Sequence, residues 1–444
     1  MARDVPRRIL VLGGGGREHA LAWRLAGEPG VEAVVCAPGS AGIAATPGVR
    51  CAAVDPLDPS AVVALAAAEG ADLVVVGPEA PLAAGVVDAL AEAGIAAFGP
   101  TRAAARLETS KAFCHEVADA AGVRMARAMA FRGEEVGPAL AFVRDLAAAG
   151  AGIVLKADGL AGGKGVIVTE SAEQALESAP SFLRGRPADA PALVIEERLA
   201  GPEASVIAVC DGERAVALPA ARDHKRLLDG DRGPNTGGMG AYSPLPDLDE
   251  SDVARILATV HTPILAEMRR RGTPFRGFLY AGLMLTPDGP ALLEANVRCG
   301  DPETQAVLPR VDAPLAPLLL ASARGALPDD APAVLPAGGG ATVAIVLAAH
   351  GYPDSPRRGD PIVGLEAAAA QGALVFHAGT AARPRLESGF STSGGRVLTV
   401  VGRGASLASA REAAERAADA ISWDGVHRRR DIALRVPPRA RVPA

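Results

Sequence analysis

Four short apolar runs in the first hundred residues, Arg8–Leu12, Val31–Cys36, Leu73–Val76 and Ile95–Phe98, constrain the fold of this chain more than any other feature. Between them lie helical patterns at Glu18–Leu25, Pro59–Glu69 and Pro81–Glu92, with Asp58 placed to cap the second. Strands of continuous apolar character alternating with helices predict a parallel sheet. In such sheets ligands gather at the C-terminal ends of the strands.

After Gly99-Pro100 the pattern changes. A helix is expected over Ser110–Ala121. Hairpins are expected from Ile153–Ala157 with Val166–Thr169, from Ala204–Cys210 with Ala215–Pro219, and from Phe278–Leu285 with Ala291–Ala295. Ser171 opens a further helix, a long polar loop runs from Asp223 to Pro246, and a helix covers Asp249 to about Arg271. The stretch Leu327–Gly340, rich in Pro, Ala, Asp and Gly, reads as a linker. Strands Ala341–Leu347 and Val397–Val401 and a helix Ser406–Ile421 follow, and the tail after Leu434 is expected to fray. The fold class is therefore α/β and α+β. At about 150 residues per domain, 444 residues suggest three units.

Composition closes off several functions. The net charge of −6 is spread along the chain and argues against a nucleic-acid partner. No apolar run approaches the ~20 residues a membrane span needs, and no secretory leader is expected. The five cysteines lack disulfide or metal spacing, which fits a reducing cytoplasm. Only four residues are Lys (Lys111, Lys156, Lys164, Lys225) and only two are Asn (Asn235, Asn296). Where Arg dominates, a Lys that persists marks a place that needs a compact ammonium.

Several segments carry chemistry. Gly13-Gly14-Gly15-Gly16-Arg17-Glu18 joins a strand to a helix, a place where backbone amides can hold an anion, but its spacing does not meet the dinucleotide fingerprint. Glu79 ends a buried strand and can accept from sugar hydroxyls. Lys156 through Gly162, Gly163, Lys164 and Gly165 is a glycine-rich hairpin rather than a P-loop, because β-branched residues follow the Lys. It can fold over phosphates, with Lys156 reaching their oxygens. The strand edge at Glu196 and Glu197 can read adenine, and Glu203 a ribose diol. The Asp223–Pro246 segment suits a closing substrate loop. Glu294 and Asn296, two apart on a strand, face one side and can hold Mg²⁺, with Arg298 on the same face to clamp an oxyanion.

Together these motifs resemble the phosphoribosylamine–glycine ligase (glycinamide ribonucleotide synthetase) family of the ATP-grasp superfamily. The resemblance rests on Gly-Gly-Arg17-Glu18-His-Ala-Leu-Ala-Trp23, Val76-Gly-Pro-Glu79-Ala-Pro-Leu82, Lys156–Val168, Asp223-His-Lys225-Arg226, Gly233–Pro244, Phe278–Met284 and Gly300-Asp301-Pro-Glu-Thr-Gln305. It runs in order from about Ile9 to Asp431. The resemblance implies an N-terminal substrate domain over 1–100, an ATP-grasp domain over 101–326 with a mobile lid about 123–195, and a C-terminal domain over 327–444. It implies ATP as a substrate with Mg²⁺ or Mn²⁺, glycine and 5-phosphoribosylamine as partners, and a cytoplasmic monomer. By this likeness the nucleotide side comprises Lys111, Lys156, Gly162, Gly163, Lys164, Glu196, Glu197, Leu199 and Glu203, and Glu294 with Asn296 holds the metal. The phosphoribosylamine side comprises Gly14, Gly15, Arg17, Glu18, Glu79, Lys225, Arg298 and Asp301. Lys156 and Arg298 stabilise charge, and Asp223 or Asp301 takes the proton of the attacking amine. The chain departs from the family at Glu294-Ala-Asn296-Val-Arg298-Cys299, where two neighbours are smaller than usual. It also has no acid at Ala281-Gly-Leu283 on the preceding strand.

Overall fold

The computed structural model describes residues 4–160, 165–186, 190–383 and 389–442. The N-terminal sheet is wholly parallel, in the order Val49–Cys51, Ala33–Pro38, Arg8–Gly13, Leu73–Val76, Ala97–Phe98. The order reverses between Arg8–Gly13 and Leu73–Val76, and Gly13 and Gly77 stand at the carboxyl ends of those two strands, where such sheets open a crevice. Asp58 caps the helix Pro59–Ala68 through the amides of Ser60 and Ala61. The pattern over Pro81–Glu92 is two helices, Glu79–Ala84 and Val86–Glu92. Gly85 between them adopts φ +88°, a left-handed turn that stops the first helix. The short strand Val49–Cys51, which the apolar pattern does not reveal, adds the sheet's outer edge.

Two antiparallel sheets follow. One runs Ala128–Arg132, Pro191–Glu197, Ile153–Ala157, Val166–Val168. The helices Val136–Ala148 and Ala172–Leu183 cover it, and Phe131, Phe142, Leu146, Leu155 and Ile195 lie in a core of its own. The other runs Ala215–Ala217, Glu203–Asp211, Arg276–Thr286, Gly289–Asn296.

The segment expected to be a long loop is structured. It holds the strand Arg222–Asp223, a hairpin of Arg226–Leu228 with Arg232–Asn235, and the strand Gly240–Ser243. Arg222–Asp223 and Gly240–Ser243 enter the last large sheet, in the order Arg222–Asp223, Gly240–Ser243, Ala341–Ala348, Arg396–Gly404, Leu374–His377. The unit expected to stand apart after the linker therefore shares its sheet with the substrate loop. Buried Arg222 anchors that junction with a two-pronged bond to Asp247, at 2.9 and 2.7 Å. The tail expected to fray after Leu434 is tied back at residues 439 and 440. Ala440 donates its amide to the Asp247 carbonyl at 3.0 Å, and Arg439 reaches Asp249 and Asp252 at 2.6 and 2.9 Å.

Candidate active site

The glycine hairpin and the last hairpin meet. Lys156, on the strand that leads into the glycine segment, donates to the Leu293 carbonyl at 2.9 Å. It also pairs with Glu196 at 2.7 Å. Both side chains are buried, and His115 approaches the other Glu196 oxygen at 2.8 Å. Burial opposes the charge on Glu196, but Lys156 and His115 outweigh it and hold the carboxyl below its usual range. Both Glu196 oxygens are thus engaged, and what it offers directly is a posture for Lys156. Lys111 begins the helix Lys111–Ala120 and donates to the Gly159 carbonyl at 3.0 Å. Asp158 accepts from Ser110 and from the Ala112 amide, so the start of the glycine segment is stapled to this helix. Gly162, Gly163 and Lys164 lie outside the described residues. Glu197 accepts the Arg127 amide at 3.0 Å, and Leu199 follows the strand end, half-buried.

Glu294 and Asn296 both lie on Gly289–Asn296, opposite Gly282 and Tyr280 of the neighbouring strand. A Cβ at Gly282 would stand 3.0 Å from the Glu294 Cγ, so the small residue leaves room for that side chain. Burial would push the Glu294 carboxyl up, but Lys225, Lys156 and Arg298 outweigh it and keep it ionised. A carboxylate beside an amide oxygen is a hard donor pair. Among the described residues no group of three or more His, Cys, Asp or Glu could hold a metal alone. The donor set therefore suits an ion that takes its remaining ligands from phosphate and water, as Mg²⁺ does.

Glu203 pairs with Lys225, and Lys225 stands 3.5 Å from Asp223. The residue expected on the ribose and the residue expected on the second substrate thus share one cluster. Burial lifts the Asp223 carboxyl to about 7; Lys225 opposes this, and Glu303, Glu203 and Glu294 add to it. Glu303, not foreseen, lies buried and accepts from Tyr280 at 2.9 Å.

Arg298 sits 3.2 Å from Glu79 and 3.0 Å from Glu108, and Arg17 reaches Glu79 at 4.0 Å. Glu108 also accepts the Val297 amide at 2.7 Å, which fixes the chain just ahead of Arg298. Asp301 is held by Arg396 at 3.0 Å and by Gln305 at 2.7 Å. Burial opposes its charge, but Arg396 and Arg17 outweigh it, and the carboxyl lies below its ordinary range. The two candidate proton acceptors thus differ: Asp223 is raised and Asp301 lowered.

The Gly14–Glu18 segment departs from expectation in one respect. The Glu18 carboxylate turns back to accept the Gly15 amide and Arg17 Nε, both at 2.7 Å. Its stem is wedged between Gly13 and Gly77, where added Cβ atoms would lie 2.5 and 2.4 Å from its Cγ. Glu18 is buried, so it serves the turn itself, and the Gly15 amide is not open to an anion.

Missing from the sequence reading are His115, Glu108, Glu303 and Arg396. His115 and Glu108 lie on helices and show nothing but polarity in the sequence. Glu303 lies within a quoted motif, and Arg396 follows a Gly394-Gly395 pair.

The descriptions of three family models match the chain in order. These are Phosphoribosylglycinamide synthetase, N domain, over 7–108; its ATP-grasp (A) domain, over 109–304; and its C domain, over 342–435. Phosphoribosylamine–glycine ligase of Streptomyces coelicolor is 51% identical over 432 residues, covering 96% of this chain and 99% of that protein. The enzyme of the same name from Leifsonia xyli is 48% identical over 435 residues, covering 96% and 100%. The crystal structure of phosphoribosylamine–glycine ligase from Thermotoga maritima superposes with a TM-score of 0.79 at 34% identity, covering 96% and 100% of the two chains. The biotin carboxylase domain of Hydrogenobacter thermophilus 2-oxoglutarate carboxylase is alike in fold alone, with a TM-score of 0.67 at 16% identity, covering 95% and 92%. This chain therefore belongs to the phosphoribosylglycinamide synthetase family, through its N, ATP-grasp and C domains alike.

Proposed function

We propose that this chain joins glycine to 5-phosphoribosylamine at the expense of ATP, giving glycinamide ribonucleotide, ADP and phosphate in de novo purine biosynthesis. The observation that carries this reading is the junction of the two hairpins, where Lys156 bonds to the strand of Glu294 and Asn296. A triphosphate laid across that junction meets Lys156 and Lys111; Gly162, Gly163 and Lys164, which lie outside the described residues, belong to the same proposed nucleotide side. Its base lies toward Glu196, Glu197 and Leu199, and its ribose toward Glu203. Glu294 and Asn296 would hold Mg²⁺ or Mn²⁺, which would neutralise phosphate charge when bound.

The reaction has two steps. A glycine carboxylate oxygen attacks the γ-phosphorus, the bond to the ADP oxygen breaks, and glycyl phosphate forms. The amine of phosphoribosylamine then attacks the acyl carbon, and phosphate leaves with the electrons of the acyl–oxygen bond. Lys156 and Arg298 face the charge that develops. Asp223, whose carboxyl sits at about 7, takes the amine proton more readily than Asp301, whose lowered value makes it the poorer base. Arg17 and Glu79, with Lys225, Asp301 and the backbone of Gly14, line the phosphoribosylamine side, and Glu18 braces it by holding the Gly15 amide. The units 1–100, 101–326 with a lid over 123–195, and 327–444 belong to this reading, as does a cytoplasmic monomer. Among the described residues no helix is long and apolar enough to cross a membrane.

The test is substrate dependence. ADP release is expected to require glycine and phosphoribosylamine together, and bicarbonate is expected not to replace glycine. Glu294→Ala is expected to abolish turnover with an unchanged unfolding transition. Bicarbonate-driven ADP release, or near-normal turnover by the variant, refutes the reading.

A further inference from the structure

The contacts of Arg396 reach from the C-terminal unit into a site assembled otherwise from the first 310 residues. One terminal nitrogen, Nη1, donates to the carbonyls of both Gly237 and Asp301, and Nη2 donates to the Asp301 carboxylate at 3.0 Å. Gly237 is also held from its other side, since its amide donates to the Tyr352 hydroxyl at 3.0 Å. Gly237 belongs to the Asn235-Thr236-Gly237-Gly238 run of the substrate loop, and Thr236 is bonded through its amide and hydroxyl, each at 2.8 Å, to the Lys225 carbonyl. On the other side, Gln305 ties the remaining Asp301 oxygen toward Gly16, where a Cβ would stand 2.7 Å from its amide nitrogen.

The local sequence is built to deliver this side chain. Gly394 packs on Gly379, where a Cβ on Gly379 would stand 2.6 Å from the Gly394 Cα. Gly395 lies under the Tyr352 ring, with 2.4 Å from its would-be Cβ to Cδ2. Gly379 in turn donates to the Arg396 carbonyl at 2.9 Å. No larger residue fits at Gly379 or Gly395 without moving Gly394 or Tyr352. Gly238 fits against Pro302 for the same reason, its would-be Cβ being 2.5 Å from the proline Cδ. Two loops and a strand from three parts of the chain thus converge on one guanidinium. One nitrogen of the planar fork serves the two carbonyls while the other serves the carboxylate.

We infer that Arg396 is a positioning residue for the ligation: from the C-terminal unit it fixes the Asp301 carboxylate and the Gly237 loop against phosphoribosylamine. This rests on the reading of Asp301 as a residue of the phosphoribosylamine side. Arg396 acts through Asp301 and Gly237 and touches no reacting atom.

The experiment uses the full chain and measures KM for ATP, glycine and phosphoribosylamine, with kcat, for Arg396→Ala, Arg396→Lys, Asp301→Asn and the double variant. Arg396→Ala is expected to raise KM for phosphoribosylamine about tenfold or more, with KM for ATP within about twofold. The ammonium of Arg396→Lys cannot fork and is expected to restore only part. The double variant is expected to be little worse than Asp301→Asn, because both act on one carboxylate. Added guanidinium at millimolar concentration is expected to rescue Arg396→Ala, which a folding defect would not allow. If Asp301→Asn raises KM for phosphoribosylamine and Arg396→Ala does not, the role of Arg396 is overturned while the Asp301 reading stands. If Asp301→Asn leaves that KM unchanged, the Asp301 reading fails and takes the inference with it. If Arg396→Ala raises all three KM values alike, or lowers thermal stability without guanidinium rescue, its role is structural.

Discussion

Glu196→Gln separates what the Lys156–Glu196 pair does for the fold from what it does for nucleotide. The two charges stand 2.7 Å apart, and both side chains are buried. At an effective dielectric of ~20 their attraction is about 6 kcal/mol before desolvation is counted. Glutamine keeps the shape. Its oxygen can accept from Lys156, and its amide can face the His115 ring, so the bond to Lys156 survives and the charge is lost. Lys156 is then a buried cation without a counter-charge. Removing one partner of such a pair typically costs about 3–5 kcal/mol. We take the lower end because the bond to Lys156 remains. For a chain of this length about 3 kcal/mol lowers the melting midpoint by about 3 °C. Removing Lys156 as well, in Glu196→Gln with Lys156→Met, removes the stranded cation and is expected to return most of the stability.

Nucleotide distinguishes the variants further. The phosphates of ADP supply the charge that Glu196→Gln lacks, so saturating Mg·ADP is expected to raise the midpoint of that variant more than that of the parent chain. The double variant has no Lys156 to meet the phosphates and is expected to gain least. Denaturant titrations of the three chains with and without Mg·ADP read all six states. A double variant no more stable than Glu196→Gln, or protected by ADP as well as the parent, refutes the argument.

Two further outcomes follow from buried groups. His19 accepts the His377 amide at 2.8 Å, and burial, with the His377 charge adding, depresses it to about 3. A histidine depressed in the folded state keeps its stability above the unfolded value near 6.5 and loses it as pH falls toward the folded value, so His19 withdraws about 2 kcal/mol between pH 7 and pH 5. His19→Gln, whose amide can still accept the His377 N–H, is expected to flatten the acid slope of unfolding by that amount; parallel slopes contradict it. Gly77→Ala sets a Cβ 2.4 Å from the Glu18 Cγ and 2.5 Å from Oε1, and is expected to destabilise by about 1–3 kcal/mol as Glu18 is displaced. Gly137→Ala, in a helix with nothing within 4 Å, is expected to be neutral or stabilising by about 0.5–1 kcal/mol; equal losses at both positions would show that crowding at Glu18 is not the cause.

Local physics was legible in the sequence and long-range pairing was not. The strand Leu73–Val76 and the helix capped by Asp58 were readable because an apolar run or a cap declares itself within a few residues. The hairpins at Ile153–Ala157 and Arg276–Thr286 were readable from alternation and turn residues. The break at Gly85 was not, since a single glycine in a helical pattern is tolerated as often as it stops one. Nor was the fate of the substrate loop. Gly240–Ser243 is a strand because Arg222–Asp223 lies on one side and Ala341–Ala348, a hundred residues on, lies on the other, and nothing in Gly-Ala-Tyr-Ser announces that second partner. The site divides the same way. Glu294 and Asn296 were visible through their two-residue spacing, whereas Glu108 and Arg396 work only through residues far along the chain, Val297 in one case and Gly237 in the other.

The charge pattern of the site explains why so many of its residues face one another. Lys156 answers Glu196, Lys225 answers Glu203 and Asp223, and Arg298 answers Glu79 and Glu108. Buried charges persist only when paired, and in the ligand-free chain the pairs must come from within. Burial raises the Asp223 carboxyl, and the carboxylates of Glu303, Glu203 and Glu294 stand close enough to add to it. A triphosphate brings further negative charge to that group, and the lysines already paired there cannot neutralise it alone. On the reading proposed, the nucleotide therefore enters as its divalent-ion complex, and Lys156 exchanges the Glu196 carboxylate for a phosphate oxygen without losing a counter-charge.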